Sequence, residues 1–414
     1  MHISTSFRGG AGIAAYRIHE ALLRNGIDSH FVCIDDAIDL DLKFCTRLSK
    51  YQHNVSLLAI LIDKIKWRLK NHFNFIIHKR KYFNDLLNSM LPKLNCEMAT
   101  LPFSDYDLFK HPAVQNADII HLHWVAGMLD YPSFFRHNTK PVVWTLHDMN
   151  PIQGIFHYKD DEIRNKVISS DLNAKVLHIK QKAIQKSKHE IAVVCPSKWM
   201  LKNVMKNKAF NNPAGYCIAN PLDMDLFYPK EEESLRTVLN IPEGNTVFLF
   251  VSQIVENHRK GFDLLLGAFA KIKDMPVTLL IIGDCNTIHI PELDIRLLGT
   301  INDNEKLIDY YSLADAFIIP SREDNLPNVM LEAMACGTPV LAFNVGGMAE
   351  IIQDGFNGLK AQDVSVDSLK NLLLDFINRK EQFNSEEIRK LAVNTFSYPV
   401  IASKYIELYK KSLN

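Results

Sequence analysis

The sequence predicts an α/β protein made of two doubly wound parallel-sheet domains. Three observations predict it. Short apolar runs alternate with helical stretches along most of the 414 residues. The runs are continuously apolar, as in strands covered on both faces. The series also occurs twice, divided at 219–232 by ANPLDMDLFYPKEE, where two prolines and a charge cluster interrupt it.

In the first series HISTS (2–6) reads as a brief strand, diluted by Ser and Thr, before a glycine turn and a helix over Ala11 to Asn25. The runs SHFVCI (29–34), DIIHLHW (118–124), PVVWTLH (141–147), EIAVVC (190–195) and GYCIA (215–219) follow as strands, with a helix over Ala174 to Lys188. The segment from about 40 to 115 fits the alternation poorly and reads as an insertion. The second series is TVFLFVS (246–252), VTLLIIG (277–283), IRLLG (295–299), AFIIP (316–320) and TPVLAF (338–343). A helix opens near Leu326 with Pro327 in its first turn, and a last one covers Pro399 to Lys411. The expected organisation is an N-terminal domain at 1–220, a C-terminal domain at 221–396, and a helix at 397–414 packing back on the first domain.

With 47% hydrophobic and 23% charged residues, collagen-like, disordered and disulfide-scaffold classes are excluded. The net charge is zero but divided: residues 1–220 carry 29 Lys and Arg against 19 Asp and Glu, and the remainder 18 against 28. A basic half suits an anionic partner, and it also suits drift between two soluble domains. Seven scattered cysteines without a C-x-x-C read as reduced thiols. The start lacks an apolar signal core, and the longest apolar run, Leu57 to Ile62, is far short of the ~20 residues of a spanning helix. A cytoplasmic protein is expected. From Lys64 to Lys81 there are seven Lys and Arg and no acid, interleaved with Trp67, Leu69, Phe73 and Ile76. That pattern fits either an amphipathic helix on the inner face of an anionic membrane or a solvated helix. No nucleic-acid-binding module is recognised.

Four motifs carry chemistry. Gly9-Gly10-Ala11-Gly12 lies between a strand and a helix, where free N–H groups suit a phosphate. Gly10, Gly12 and Ala15 also match G-x-G-x-x-A, with Asp35 placed for a ribose, so a nicotinamide-dependent oxidoreductase and a purely structural turn are the alternatives. His147 ends a strand, where ligands of open α/β sheets bind, or else it is packed; His121 and His123, two apart on a strand, read as structural. Arg259-Lys260-Gly261 at a strand–helix turn suits a diphosphate, or is a solvated charge pair. In PSREDNLPNVMLEAMACG (320–337), Asp324 in a loop and Glu332 on the next helix offer paired carboxylates for sugar hydroxyls, or a cap and a salt bridge. A metal-dependent site at Asp105-Tyr106-Asp107 is disfavoured, because no apolar strand precedes it.

The last motif resembles the E-x7-E signature of retaining family 4 glycosyltransferases. The resemblance extends over GGAGIAAYRIHEALLRNG (9–26), KPVVWTLHDMNPIQGIFHY (140–158), VCPSKWM (194–200) and RKGFDLL (259–265). It is greatest to bacterial enzymes that assemble capsule, O-antigen or colanic acid. It implies a GT-B fold, a nucleotide-diphosphate-sugar donor, a glycan or lipid-linked acceptor, and no cofactor or metal. It also implies roles. Gly10 and Gly12 would approach the donor phosphate and His147 the transferred sugar. Arg259 and Lys260 would neutralise the diphosphate, Asp324 with Asn325 would hold the sugar, and Glu332 the ribose. The first Glu of the pattern is Asp324 here, and no additional Arg stands near Ile254. A nucleotide-sugar epimerase of the same fold is the nearer alternative.

Overall fold

Seven parallel strands form the first sheet: β1 (His2–Ile3), β2 (Phe31–Cys33), β3 (Cys45–Arg47), β4 (Ile120–Leu122), β5 (Val142–Thr145), β6 (Ile191–Cys195) and β7 (Ala214–Cys217). Six more form a second parallel sheet: β8 (Thr246–Ile254), β9 (Val277–Asp284), β10 (Ile295–Leu297), β11 (Ala316–Ile319), β12 (Val340–Phe343) and β13 (Gly358–Ala361). The orders are β3-β2-β1-β4-β5-β6-β7 and β10-β9-β8-β11-β12-β13. Both begin 3-2-1-4-5-6, so each sheet has a topological switch point beside its first strand, where a crevice opens at the carboxyl ends. The computed structural model describes residues 1–35, 44–48, 71–210, 213–230, 233–285 and 292–413, and only the backbone of 71–79, 233 and 234.

Burial explains the strands. Val143, Trp144, Val193, Val194 and Leu249 are fully enclosed, as expected where helices cover both faces. β1 ends after two residues because its hydroxyls turn back on nearby carbonyls: Ser4 donates to the Ser6 carbonyl at 2.8 Å and Thr5 to that of Ala126 at 2.8 Å. The insertion contains β3 and the helix Asn71–Met90. Arg80 of that helix pairs with Asp130 of the first domain. The rest of the basic stretch 64–81 lies outside the described residues, apart from the backbone of 71–79 and Lys81. Pro327 stands just before its helix, Asn328–Ala335, with extended backbone, and not in its first turn.

The helix Tyr398–Leu413 follows the second series yet packs on the first sheet. Tyr398, Ile401, Tyr405 and Leu408 cluster with Ile18 and Leu22 of the helix Gly9–Arg24 and with Val143 and Val194. The Tyr405 hydroxyl lies 3.0 Å from that of Thr145. Among the described residues, no helix is long and apolar enough to cross a membrane.

Candidate active site

The two sheets turn their carboxyl ends toward each other, and loops from both meet there. From the second sheet come 257–261 after β8, 320–327 after β11 and 344–347 after β12. Two glycines let them interleave. Gly261 has φ +71°, and a Cβ there would lie 1.8 Å from the Pro320 carbonyl oxygen. Gly346 has φ +62°, and its Cβ would lie 1.9 Å from the Asp324 carbonyl oxygen. Any side chain at either position would force the loops apart.

The interleaving brings the predicted cations to the predicted carboxylate. Lys260 Nζ lies 2.7 Å and Arg259 Nη1 3.0 Å from the same oxygen, Asp324 Oδ2. Arg259 also reaches into the first domain. Its Nε donates to Glu97 at 2.7 Å, and its guanidinium stacks 3.9 Å from the centre of the Tyr158 ring. Burial acts to raise the Asp324 carboxyl, but Lys260 and Arg259 outweigh it and hold the group below its ordinary range. At Glu97 burial is likewise overcome, chiefly by Arg259. Burial lowers the Lys260 ammonium, and adjacent Arg259 lowers it further.

Glu332 is held separately. Its Oε1 lies 2.7 Å from Arg17 of the first helix, and its Oε2 accepts from the Tyr311 hydroxyl at 2.9 Å. One turn earlier on the same helix face, Asn328 donates to the Gly10 carbonyl at 2.8 Å. The helix carrying Glu332 is thus docked along the first helix at two points. Gly10 borders open space, since no atom beyond its chain neighbours and its own helix backbone lies within 4 Å of where its Cβ would be. Gly12 serves its own domain: a Cβ there would meet the Ser6 carbonyl oxygen at 2.6 Å, so it allows close packing of helix on turn. Asp35, on which a dinucleotide reading depends, accepts from the Ser6 hydroxyl at 2.6 Å.

His147 lies on the opposite wall. Its backbone carbonyl and that of Leu146 accept from the Asn325 amide at 3.3 Å each, and the Asn325 oxygen accepts from Ser197 at 2.6 Å. Asn325 therefore ties the second-domain loop to the end of β5. Burial lowers the His147 imidazole to about 4, only partly opposed by Asp148. The ring is neutral at pH 7. Asp148 is spent on other partners, accepting from Trp124 at 2.8 Å and lying 2.6 Å from His157 Nδ1.

Further contacts across the cleft involve residues that the sequence reading did not single out. Glu323 accepts from the backbone N–H groups of Lys159 at 3.1 Å and Asp160 at 2.9 Å, capping the helix Lys159–Arg164. Glu350 caps the helix Lys198–Lys206 through Lys198 at 2.8 Å and through Trp199. Arg17 did leave a signal: it interrupts the buried stripe Ala14, Ile18, Ala21. Glu97 left none, because 162 positions separate it from Arg259. Asp107 of the disfavoured D-x-D triplet caps a short helix through Phe109 N at 3.2 Å.

Among the described residues, His2, His121 and His123 form a group in which one ring nitrogen from each lies within 4.8 Å of the others. Each of the three rings already has hydrogen-bond partners. His2 Nδ1 lies 2.8 Å from His123 Nε2, while His121 meets Tyr409 at 2.6 Å and Thr145 at 2.7 Å.

Residues 231–391 match the family model described as glycosyl transferases group 1. The fold is GT-B. Anabaena HepE, solved in complex with UDP and glucose, superposes with a TM-score of 0.66 at 16% identity, over 99% of this chain and 98% of that one. An uncharacterised glycosyltransferase of Methanocaldococcus jannaschii is 31% identical over 46% of this chain and 50% of its own length. The lipopolysaccharide 1,2-N-acetylglucosaminetransferase of Salmonella typhimurium is 29% identical over 48% of this chain and 55% of its own. The matches to these two curated relatives span about half of their length. The matched residues 231–391 include Arg259, Lys260, Asp324 and Glu332.

Proposed function

We propose that the protein is a retaining glycosyltransferase. It moves a sugar from a nucleotide-diphosphate sugar to a glycan or lipid-linked glycan during surface-polysaccharide assembly. The observation that carries this reading is the convergence of Arg259 and Lys260 on Asp324 Oδ2, in the cleft whose other wall holds His147. Two adjacent cations answer a diphosphate, and a carboxylate beside them answers sugar hydroxyls. The similarity to a lipopolysaccharide transferase supports the polysaccharide setting.

In this account the donor diphosphate takes the place of carboxylate partners on Arg259 and Lys260. Asp324 then accepts from the hydroxyls of the donor sugar, with Asn325 beside it. Glu332 accepts from the ribose. Gly10 leaves room for the phosphate at the start of the first helix, and His147 meets the transferred sugar. The anomeric carbon–phosphate oxygen bond breaks as the acceptor oxygen bonds to the same face. The acceptor proton passes to the departing phosphate oxygen. The cations stabilise the charge that develops on that phosphate, so no further cofactor or metal is invoked for it. The site works in the cytoplasm, with the basic stretch 64–81 resting on the inner membrane leaflet near a lipid-linked acceptor.

The test is product analysis with a panel of UDP-, GDP- and ADP-sugars and an extracted lipid-linked acceptor. A new glycosidic bond with the donor's anomeric configuration supports the reading. An inverted product, or epimerised nucleotide sugar without transfer, overturns it.

A further inference from the structure

The row of histidines behind His147 has no part in the account above. It arises from sheet topology. β1, β4 and β5 are neighbours in the first sheet; His2 opens β1, His123 follows β4 directly, and His147 lies two residues beyond β5. His147 Nε2 lies 3.2 Å from His123 Nδ1, and His123 Nε2 lies 2.8 Å from His2 Nδ1. The His123 and His147 rings stack with centroids 5.5 Å apart, and His2 and His123 at 5.1 Å. His2 and His123 are almost wholly buried, while His147 is partly buried at the cleft.

We propose that His2 and His123 are positioning residues that fix the tautomer and ring plane of His147 through a hydrogen-bonded chain of three imidazoles. A neutral imidazole has one donor nitrogen and one acceptor nitrogen. His123 uses both nitrogens within the chain, so both bonds run in the same direction. Only two arrangements satisfy this. Either all three rings carry the proton on Nε2, or all three carry it on Nδ1. In the first, His147 offers an acceptor at Nδ1; in the second, a donor. The hydrogen-bonding face that His147 presents is thus coupled to the tautomer of the buried pair.

Burial keeps the chain neutral. It lowers His2 and His123 well below the ordinary imidazole range, and neighbouring His121 lowers both further. The nearest carboxylate in sequence, Asp148, is held by His157 and Trp124. His121 lies alongside the chain, and its nitrogens go to Tyr409 and Thr145. The role in transfer rests on the proposed function, while the tautomer coupling does not.

The test is long-range proton–nitrogen NMR of the full chain labelled with 15N-histidine at pH 7, with signals assigned by single substitutions. The expected result is one shared tautomer for His2, His123 and His147. His123→Phe and the milder His2→Gln then shift or average the His147 nitrogen signals and leave those of His121 in place. Differing tautomers in the wild type, or a His147 signal unchanged in both variants, overturn the proposal. In a transfer assay, His123→Phe lowers kcat about tenfold with little change in donor KM. Unchanged kcat overturns the positioning role. The NMR readout needs no substrate, so failure of the functional reading is seen separately.

Discussion

Arg17 and Glu332 meet at 2.7 Å across the cleft, each side chain at most 10% exposed. The residue proposed to hold the donor ribose is thus paired, in the free protein, with a cation of the other domain. Removing one partner of a buried pair leaves the other charge uncompensated, at a cost of about 3–5 kcal/mol. Arg17→Ala is expected to lower the urea midpoint accordingly. Arg17→Ala combined with Glu332→Ala should cost clearly less than the sum of the single changes. Strictly additive losses would show that the pair does not couple the domains.

Glu97 occupies Arg259 where the donor diphosphate is proposed to bind. Glu97→Gln removes that competitor and leaves the cation available. Affinity for UDP or GDP is expected to rise about tenfold, the worth of one charge-assisted hydrogen bond. Calorimetric titration measures it. Unchanged or weaker binding would mean that Glu97 does not compete at this position.

The buried histidines predict loss of stability in mild acid. Burial lowers His2, His121 and His123 well below the ordinary value, and His147 to about 4. Between pH about 6.5 and the folded values, the unfolded chain binds protons that the folded chain does not. Stability therefore falls as pH falls, by up to about 1.4 kcal/mol per pH unit for each histidine. At lower pH Asp324 and Glu97 add to this. Their depressed carboxyls contribute stability above about pH 4, which is lost as pH falls through the folded values. Urea unfolding across this range should show the slope, and His123→Gln should flatten it. A pH-independent midpoint from about pH 7 to 5 would contradict the prediction.

Lys180 is buried with no carboxylate paired to it among the described residues, and its ammonium donates to Asn150 O at 2.7 Å, Asn150 Oδ1 at 2.9 Å and Gly154 O at 2.6 Å. It holds the loop that follows His147 and Asp148. Lys180→Met is expected to cost about 3 kcal/mol or more, because three buried acceptors lose their donor. A variant of wild-type stability would show that the loop is held elsewhere.

The fold was legible because parallel strands covered on both faces are continuously apolar, as in TVFLFVS and VTLLIIG. The two strands missed, β3 and β13, are sheet edges with the sequences CTR and GLKA, too short and polar to stand out. The neighbourhood of Arg259, Lys260 and Asp324 was also legible, since the loops that carry them follow strands of the same sheet. Its partners were not. Glu97 and Arg17 reach the site from the other domain, and no spacing in the chain encodes that approach. The histidine chain was hidden for a similar reason. His121 and His123 look alike at period two, yet the order β1-β4-β5 sets His123 beside His147 and His121 beside Thr145.

The most direct measurement is calorimetric titration of UDP and GDP, without added metal, into the wild type and Lys260→Ala. The account predicts that one of the two binds the wild type, and that Lys260→Ala weakens it by about tenfold or more while the fold is retained. Binding of neither nucleotide, or equal binding by both proteins, would contradict the assignment of this cleft to a nucleotide-diphosphate sugar.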